Sequence, residues 1–153
     1  MSNLKVRLRK ASMADVAYIE RIEHSTFGKS LGKKLFTEDI LYNPMAHYQI
    51  LEVANARAGY CSLWMTMPHA EIVQIIVEPR YRKQGYGRMM MQAMLKQCAA
   101  AGVEAVTLEV RVSNTQAIAF YEQFEFEIVS RRKRYYQDGE DAWLMMKSLT
   151  HTK

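Results

Sequence analysis

"IVQIIVEPRYRKQGYGRMMMQAMLKQCAAAGVEAVTLEVRV", residues 72–112, changes its period twice and so decides the fold. Ile72–Val77 is a nearly unbroken β-branched run, which predicts a strand covered on both faces. Gly87–Ala101 has the spacing of an amphipathic helix, and Gly102 supplies its left-handed stop. Val106, Leu108, Val110 and Val112 then alternate with Thr107, Glu109 and Arg111, the two-residue period of a strand with two unlike faces. Strand, helix, strand in some forty residues is a crossover unit, and such units build sheets with helices packed on them.

The rest of the chain extends that plan. Upstream, Leu4–Arg9 alternates apolar and basic residues as a half-buried strand. Ser12-Met13-Ala14-Asp15 forms a capping box with Asp in the acid position, and Val16, Ile19, Ile22 and Glu23 follow at helical spacing toward Phe27. Thr37 caps a short second helix that ends by Asn43, because Pro44 follows. Tyr48–Ala54 and Tyr60–Met67 read as strands joined by a tight connection around Asn55–Gly59. Downstream, Ser113 or Asn114 caps a helix with Ala117, Phe120, Tyr121 and Phe124 on one stripe. Phe126–Gln137 and Ala142–Leu149 form a closing hairpin around Asp138-Gly139-Glu140. The order β-α-α-β-β-β-α-β-α-β-β predicts an α/β fold, a mixed sheet flanked by about four helices, as one domain over residues 1–153.

Bulk properties exclude several classes. No apolar stretch approaches the roughly 18–20 residues that span a bilayer, so no membrane association is expected. The basic N-terminus lacks the apolar core of a secretory signal. Cys61 and Cys98 lie in apolar strand and helix patterns, which suits reduced thiols in the cytoplasm. The net charge of +5 favours anionic partners or is only a solvated surface. Direct nucleic-acid binding is not expected, since outside Tyr135-Tyr136 the basic residues lack interleaved aromatics.

Familiar chemistries also fall away. Gly28-Lys29-Ser30 resembles the end of a P-loop, but Glu23 stands where its first glycine belongs. Met90 occupies the third-glycine position of a dinucleotide turn begun by Gly85-Tyr86-Gly87. His24, His47, His69 and His151 show no metal-ligand spacing, and neither cysteine sits in a metal pattern, so no metal is expected. No Gly-x-Ser-x-Gly nucleophile elbow occurs.

What remains is the loop inside the opening stretch. A strand ending at Val77, basic residues from Arg80 to Lys83 and glycines at a helix start suit an anion, because the first helical amides lack internal partners and the macrodipole is positive there. Gly85 and Gly87 remove bulk, and Arg82, Lys83 and Arg88 add charge. An exposed basic turn serving solubility is the plainer reading of the same residues.

Arg82-Lys83-Gln84-Gly85-Tyr86-Gly87 resembles the Arg/Gln-x-x-Gly-x-Gly/Ala signature of the GCN5-related N-acetyltransferases (GNAT). "LEVRVSNTQAIAFYEQFEF", residues 108–126, and "RRKRYYQDGEDAWLMMKSL", residues 131–149, are similar to the branch that acetylates protein N-termini, the RimI-type enzymes and their relatives. The resemblance implies an acetyl-CoA-dependent N-acetyltransferase of that fold. It implies that the backbone of Ile75, Ile76 and Val77 pairs with the pantetheine arm. Arg82, Lys83, Gln84, Gly85, Tyr86, Gly87 and Arg88 would take the pyrophosphate, and Asn114, with Ala117 after it, would contact the cofactor. Glu109 would be the general base, directly or through water, and Tyr121 the general acid. Tyr135 and Tyr136 would orient the substrate.

Each residue keeps a plainer role as well: Glu109 as a strand's polar face, Tyr121 as core, Tyr135-Tyr136 as an aromatic pair. The expected partner is a protein N-terminus, a ribosomal protein among the candidates, with a small amine (polyamine, amino acid or antibiotic) or a non-catalytic acyl-CoA-binding role as alternatives. The chain would act as a monomer or homodimer. Two departures bear on specificity. Glu125 stands where the family has glycine, which implies strain if that position needs a positive φ. The "EHSTFGKSLGKKLFTEDI" segment, residues 23–40, lacks the usual Pro-Trp in what the family uses as a wall of its substrate channel.

Overall fold

The computed structural model describes residues 5–150, so Leu4, expected to open the first strand, and His151 lie outside the described residues. The strands are β1 (Val6–Lys10), β2 (Ala46–Val53), β3 (Ala56–Thr66), β4 (His69–Val77), β5 (Ala105–Arg111), β6 (Glu127–Arg132) and β7 (Ala142–Ser148). The helices are α1 (Val16–Phe27), α2 (Lys33–Tyr42), α3 (Tyr86–Ala101) and α4 (Thr115–Glu122). Their order along the chain is the one read from the sequence. The hydrogen-bonded strand order is β1-β2-β3-β4-β5-β7-β6, a mixed sheet. None of the described helices is long and apolar enough to cross a membrane.

The chain forms two compact units, one comprising the described residues through Trp64 with Gln74–Gln97, the other Met65–Val73 and the described residues from Cys98 onward. In the first, β1, β2 and β3 form an antiparallel meander. Ala54 and Asn55 both take positive φ (51° and 69°), so β2 and β3 are joined by a two-residue turn of the kind whose twist matches the strands. The longer connection expected over Asn55–Gly59 is therefore corrected: β3 begins at Ala56, and Gly59 lies inside the strand, opposite Leu51. A Cβ at Gly59 would sit 2.2 Å from the Ile76 carbonyl oxygen, so glycine is there to let two backbones meet.

Ile19, Ile22, Phe36, Tyr48, Ile50, Tyr60 and Ile76 form the core of this unit. At the start of α1, Asp15 accepts the Ser12 amide at 2.8 Å, the acid half of the expected box, after a 3₁₀ turn at Met13–Asp15. Fully buried, Asp15 also binds Arg9 through both oxygens at 2.8 Å and Arg57 at 2.8 Å. The Arg9 contact holds its carboxyl far below the usual range despite burial. The second helix begins at Lys33 behind Gly32, not at Thr37, which lies within it. Phe36, buried in the core, anchors the turn ahead of Thr37, and packing outweighs the local capping preference.

In the second unit the first residues of β4 pair in parallel with β5, His69 with Ala105 through Glu71 with Thr107. β5 pairs antiparallel with β7, and β7 with β6. Val106, Leu108 and Val110 are buried as their alternation required. β4 starts at His69 rather than Ile72 and is not covered on both faces: Val73 is 41% exposed. Its β-branched run expresses strand preference rather than double burial.

The closing hairpin is also corrected. β6 ends at Arg132, and residues 133–141 form an ordered loop instead of continued strand. Asp141 accepts Arg131 at 2.7 Å and the Arg134 amide at 2.8 Å, while Arg111 binds Asp138 at 2.8 Å and Glu140 at 2.9 Å. These charge-assisted bonds fix the loop where a ladder would otherwise run.

Candidate active site

The first unit carries the loop expected from the sequence to hold an anion. β4 ends at Val77, and the Glu78 amide donates to the Ala58 carbonyl at 2.9 Å. Pro79–Tyr81 makes one 3₁₀ turn, and the Arg82 Nε donates back to the Val77 carbonyl at 2.9 Å, tying the loop to the strand end. Arg82 is thus in part a structural clasp. Lys83 and Gly85 both adopt positive φ (64° and 86°), which turns the chain sharply into α3. Nothing lies within 4 Å of a Cβ built at Gly85, so backbone conformation rather than crowding calls for glycine. The α3 ladder starts with the Met89 amide donating to the Gly85 carbonyl at 3.0 Å. The amides of the preceding turn are those that a helix start offers to an anion. Arg82, Lys83, Gln84, Gly85 and Arg88 are exposed, with Tyr86 and Gly87 half-buried. Ile75 and Val77 are half-buried, and Ile76 belongs to the core.

The second unit carries the residues expected from the sequence to act as base and acid. Glu109 lies on the polar face of β5 with its side chain 12% exposed. It accepts Arg132 Nε at 2.7 Å and the Tyr135 hydroxyl at 3.3 Å. Beside it on β4 stands Glu71, whose carboxyl is pushed up to about 7, first by burial and then by a hydrogen bond to Glu109 and its charge, with Arg132 opposing. Tyr121 packs edge-on against Phe120 at 5.6 Å and Phe126 at 6.2 Å, and burial raises its hydroxyl, which stays protonated at neutral pH. It is a packed aromatic whose hydroxyl keeps its proton.

Asn114 resolves the capping choice: its Oδ1 accepts the Ala117 amide at 3.1 Å. That bond commits the Asn114 oxygen and the Ala117 amide to the helix start. Tyr135 and Tyr136 meet at right angles, 5.0 Å between centroids, but part in their partners. Tyr135 reaches Glu109, whereas Tyr136 lies under the Arg111 guanidinium at 4.0 Å, as part of the clamped loop.

Sequence reasoning missed Glu71, Arg132 and Gly59. Glu71 had a usable signal, an acidic residue inside an apolar strand run, whereas Arg132 gave none beyond its place in a basic tract. Glu125 adopts φ 70°, so the left-handed conformation suspected there is real.

Residues 16–126 match the profile of the acetyltransferase (GNAT) family, and the chain belongs to that family. It is an acetyltransferase by that membership and by its relatives. A Bacillus subtilis (strain 168) protein, provisionally named a ribosomal protein bS18-alanine N-acetyltransferase, is 36% identical over 142 residues, 92% of this chain and 94% of that one. An N-alpha-acetyltransferase of Saccharolobus solfataricus is 32% identical over 155 residues, covering 93% and 92%. The crystal structure of the ribosomal-protein-S18-alanine N-acetyltransferase of Escherichia coli superposes with a TM-score of 0.87, 26% identity and 97% coverage of both chains.

Proposed function

We propose that this acetyltransferase moves the acetyl group of acetyl-CoA to the N-terminal α-amine of a protein, with a ribosomal protein as the substrate class. The observation that carries the reading is the near full-length similarity to relatives named for that position of attack. The chemistry agrees. A protein α-amine has a pKa near 7.7–8.0, so neutralising it at pH 7 costs only about 1–1.4 kcal/mol, against about 4–5 kcal/mol for a lysine. A carboxylate-centred cluster such as that around Glu109 suffices for the smaller task.

In this reading the backbone of Ile75, Ile76 and Val77 grips the pantetheine arm as an added strand would. Arg82 to Arg88 hold the pyrophosphate, with the Asn114–Ala117 turn as a further contact. Tyr121 protonates or hydrogen-bonds the departing sulfur. Tyr135 orients the substrate beside Glu109, and Tyr136 supports it from the clamped loop. The amine attacks the thioester directly, so no activated enzyme nucleophile is needed. The buried free thiols of Cys61 and Cys98 suit a reducing cytosol.

Gly85→Val tests the cofactor assignment. A β-branched residue cannot take φ 86° without strain, so the loop should open. Calorimetric titration should show acetyl-CoA affinity reduced about tenfold or more; unchanged affinity would remove the phosphate-loop role.

A further inference from the structure

Glu78 is the residue at which the chain leaves β4, and the loop that follows hangs from it. Its amide donates to the Ala58 carbonyl at 2.9 Å, and its carbonyl accepts the Tyr81 amide at 2.9 Å. Its carboxylate Oε2 accepts the Tyr18 hydroxyl of α1 at 2.5 Å, from 60 residues away in the chain. A carboxylate at the foot of a loop suited to an anion is an electrostatic liability, because like charges repel at short range. The surroundings of Tyr18 show what the carboxylate does there. Tyr18 is 4% exposed and belongs to the core, and burial with the Glu78 charge keeps its phenol protonated, a donor at neutral pH. Arg21 and Arg57 stand over its ring at 5.3 Å and 5.7 Å from the centroid. Arg57 is fixed in turn by buried Asp15 at 2.8 Å and by the Ala14 carbonyl at 3.0 Å. The other side-chain tie at this exit, Arg82 to the Val77 carbonyl, is exposed and competes with water.

We infer that Tyr18 is a positioning residue for the cofactor: through Glu78 it holds the β4 exit, so that the Val77 backbone and the loop amides keep their aim at acetyl-CoA. The inference deepens the reading above and rests on its assignment of this loop. The phenol is not offered to the cofactor, since its hydrogen is committed to Glu78. Its effect reaches the ligand through one carboxylate and the turn that follows it. Arg82 is assigned to the pyrophosphate, and turning toward it gives up the bond to Val77. The Tyr18 contact is then the side-chain tie that keeps the exit in place. A loop held in its binding conformation before the ligand arrives loses less freedom on binding, and the difference appears as affinity. A hydrogen bond to an ionised acceptor is among the stronger ones a side chain can supply for that purpose.

The test is Tyr18→Phe, which removes the hydroxyl and keeps the ring under its two guanidinium groups. Calorimetric titration should show acetyl-CoA bound about tenfold more weakly than by wild type, with KM for acetyl-CoA rising alike and KM for an N-terminal peptide within about twofold. A role confined to stability would lower Tm and leave acetyl-CoA affinity unchanged, and that result would overturn the inference. A double-mutant cycle asks whether Tyr18 acts through Glu78. On a Glu78→Ala background, Tyr18→Phe should change affinity by less than about twofold, whereas a further loss of about tenfold would mean another route and overturn it. Amide hydrogen exchange of residues 82–87 in the ligand-free proteins adds a readout independent of the cofactor: faster exchange in Tyr18→Phe supports positioning, and equal rates overturn it. Should wild-type protein bind no acetyl-CoA, the function reading fails, while the exchange comparison still decides whether Tyr18 holds the loop.

Discussion

Glu71 lowers stability toward neutral pH, and the sign of that effect can be worked out. Its folded carboxyl keeps its proton up to about pH 7, whereas the unfolded one loses it near 4.5. Between those values the folded state binds more protons, so its contribution to stability falls as pH rises and is gone above pH 7. Glu71→Gln removes the ionisation and should stabilise the protein by about 2 kcal/mol at pH 8, after allowance for partial solvent exposure, and by little at pH 4. Denaturant melts at the two pH values check this. Glu125 is strained for a different reason. Its φ of 70° disfavours a side chain, and its ion pair with Lys147 at 3.2 Å contributes little because the Glu125 side chain is 85% exposed. Glu125→Gly should therefore raise stability by up to about 1 kcal/mol, seen as a Tm increase of about 2–3 °C; a lower Tm would show that the ion pair outweighs the strain. At this scale the sequence pointed to Glu109, Tyr121 and the loop glycines through motifs that fix residue type and spacing. It could not disclose that Glu71 meets Glu109, because their meeting depends on the β4–β5 register. The split between Tyr135 and Tyr136 depends likewise on Arg111, distant in the chain.

Among the elements, the β3–β4 contact carries the sharpest constraint. Gly59 is pressed on the Ile76 carbonyl by backbone on both sides, so no rotamer change can absorb a methyl group. Gly59→Ala should cost about 3 kcal/mol in a denaturation experiment and also weaken acetyl-CoA binding, because β4 must shift where Ile75, Ile76 and Val77 grip the arm. Loss of stability with full cofactor affinity would separate this contact from the site. The elements themselves were legible where a period runs long, as in α3 and β5. They were misread where a distant contact overrules a local signal. Thr37 would cap a helix, yet buried Phe36 extends α2 back to Lys33. Asp138-Gly139-Glu140 looks like a tight turn, yet the side chains of Arg111 and Arg131 hold residues 133–141 as a longer loop. Arginine–carboxylate pairs between remote residues leave no period in the sequence.

For the whole molecule, family membership and acetyl transfer follow from a profile match over residues 16–126 and from relatives aligned along nearly all of their length. The acceptor is what the account adds, and it rests on amine chemistry as much as on likeness: a cluster centred on carboxyls suits an amine that ionises near 8, not one near 10.4. The direct measurement is acetyl transfer, read by mass spectrometry, to paired peptides of one sequence. One has a free N-terminal alanine and no lysine; the other is blocked at its N-terminus and carries an internal lysine, with spermidine as a third acceptor. The account predicts rapid acetylation of the free N-terminus, at least 100-fold above the other two in kcat/KM. Preference for the lysine peptide or for spermidine would contradict it.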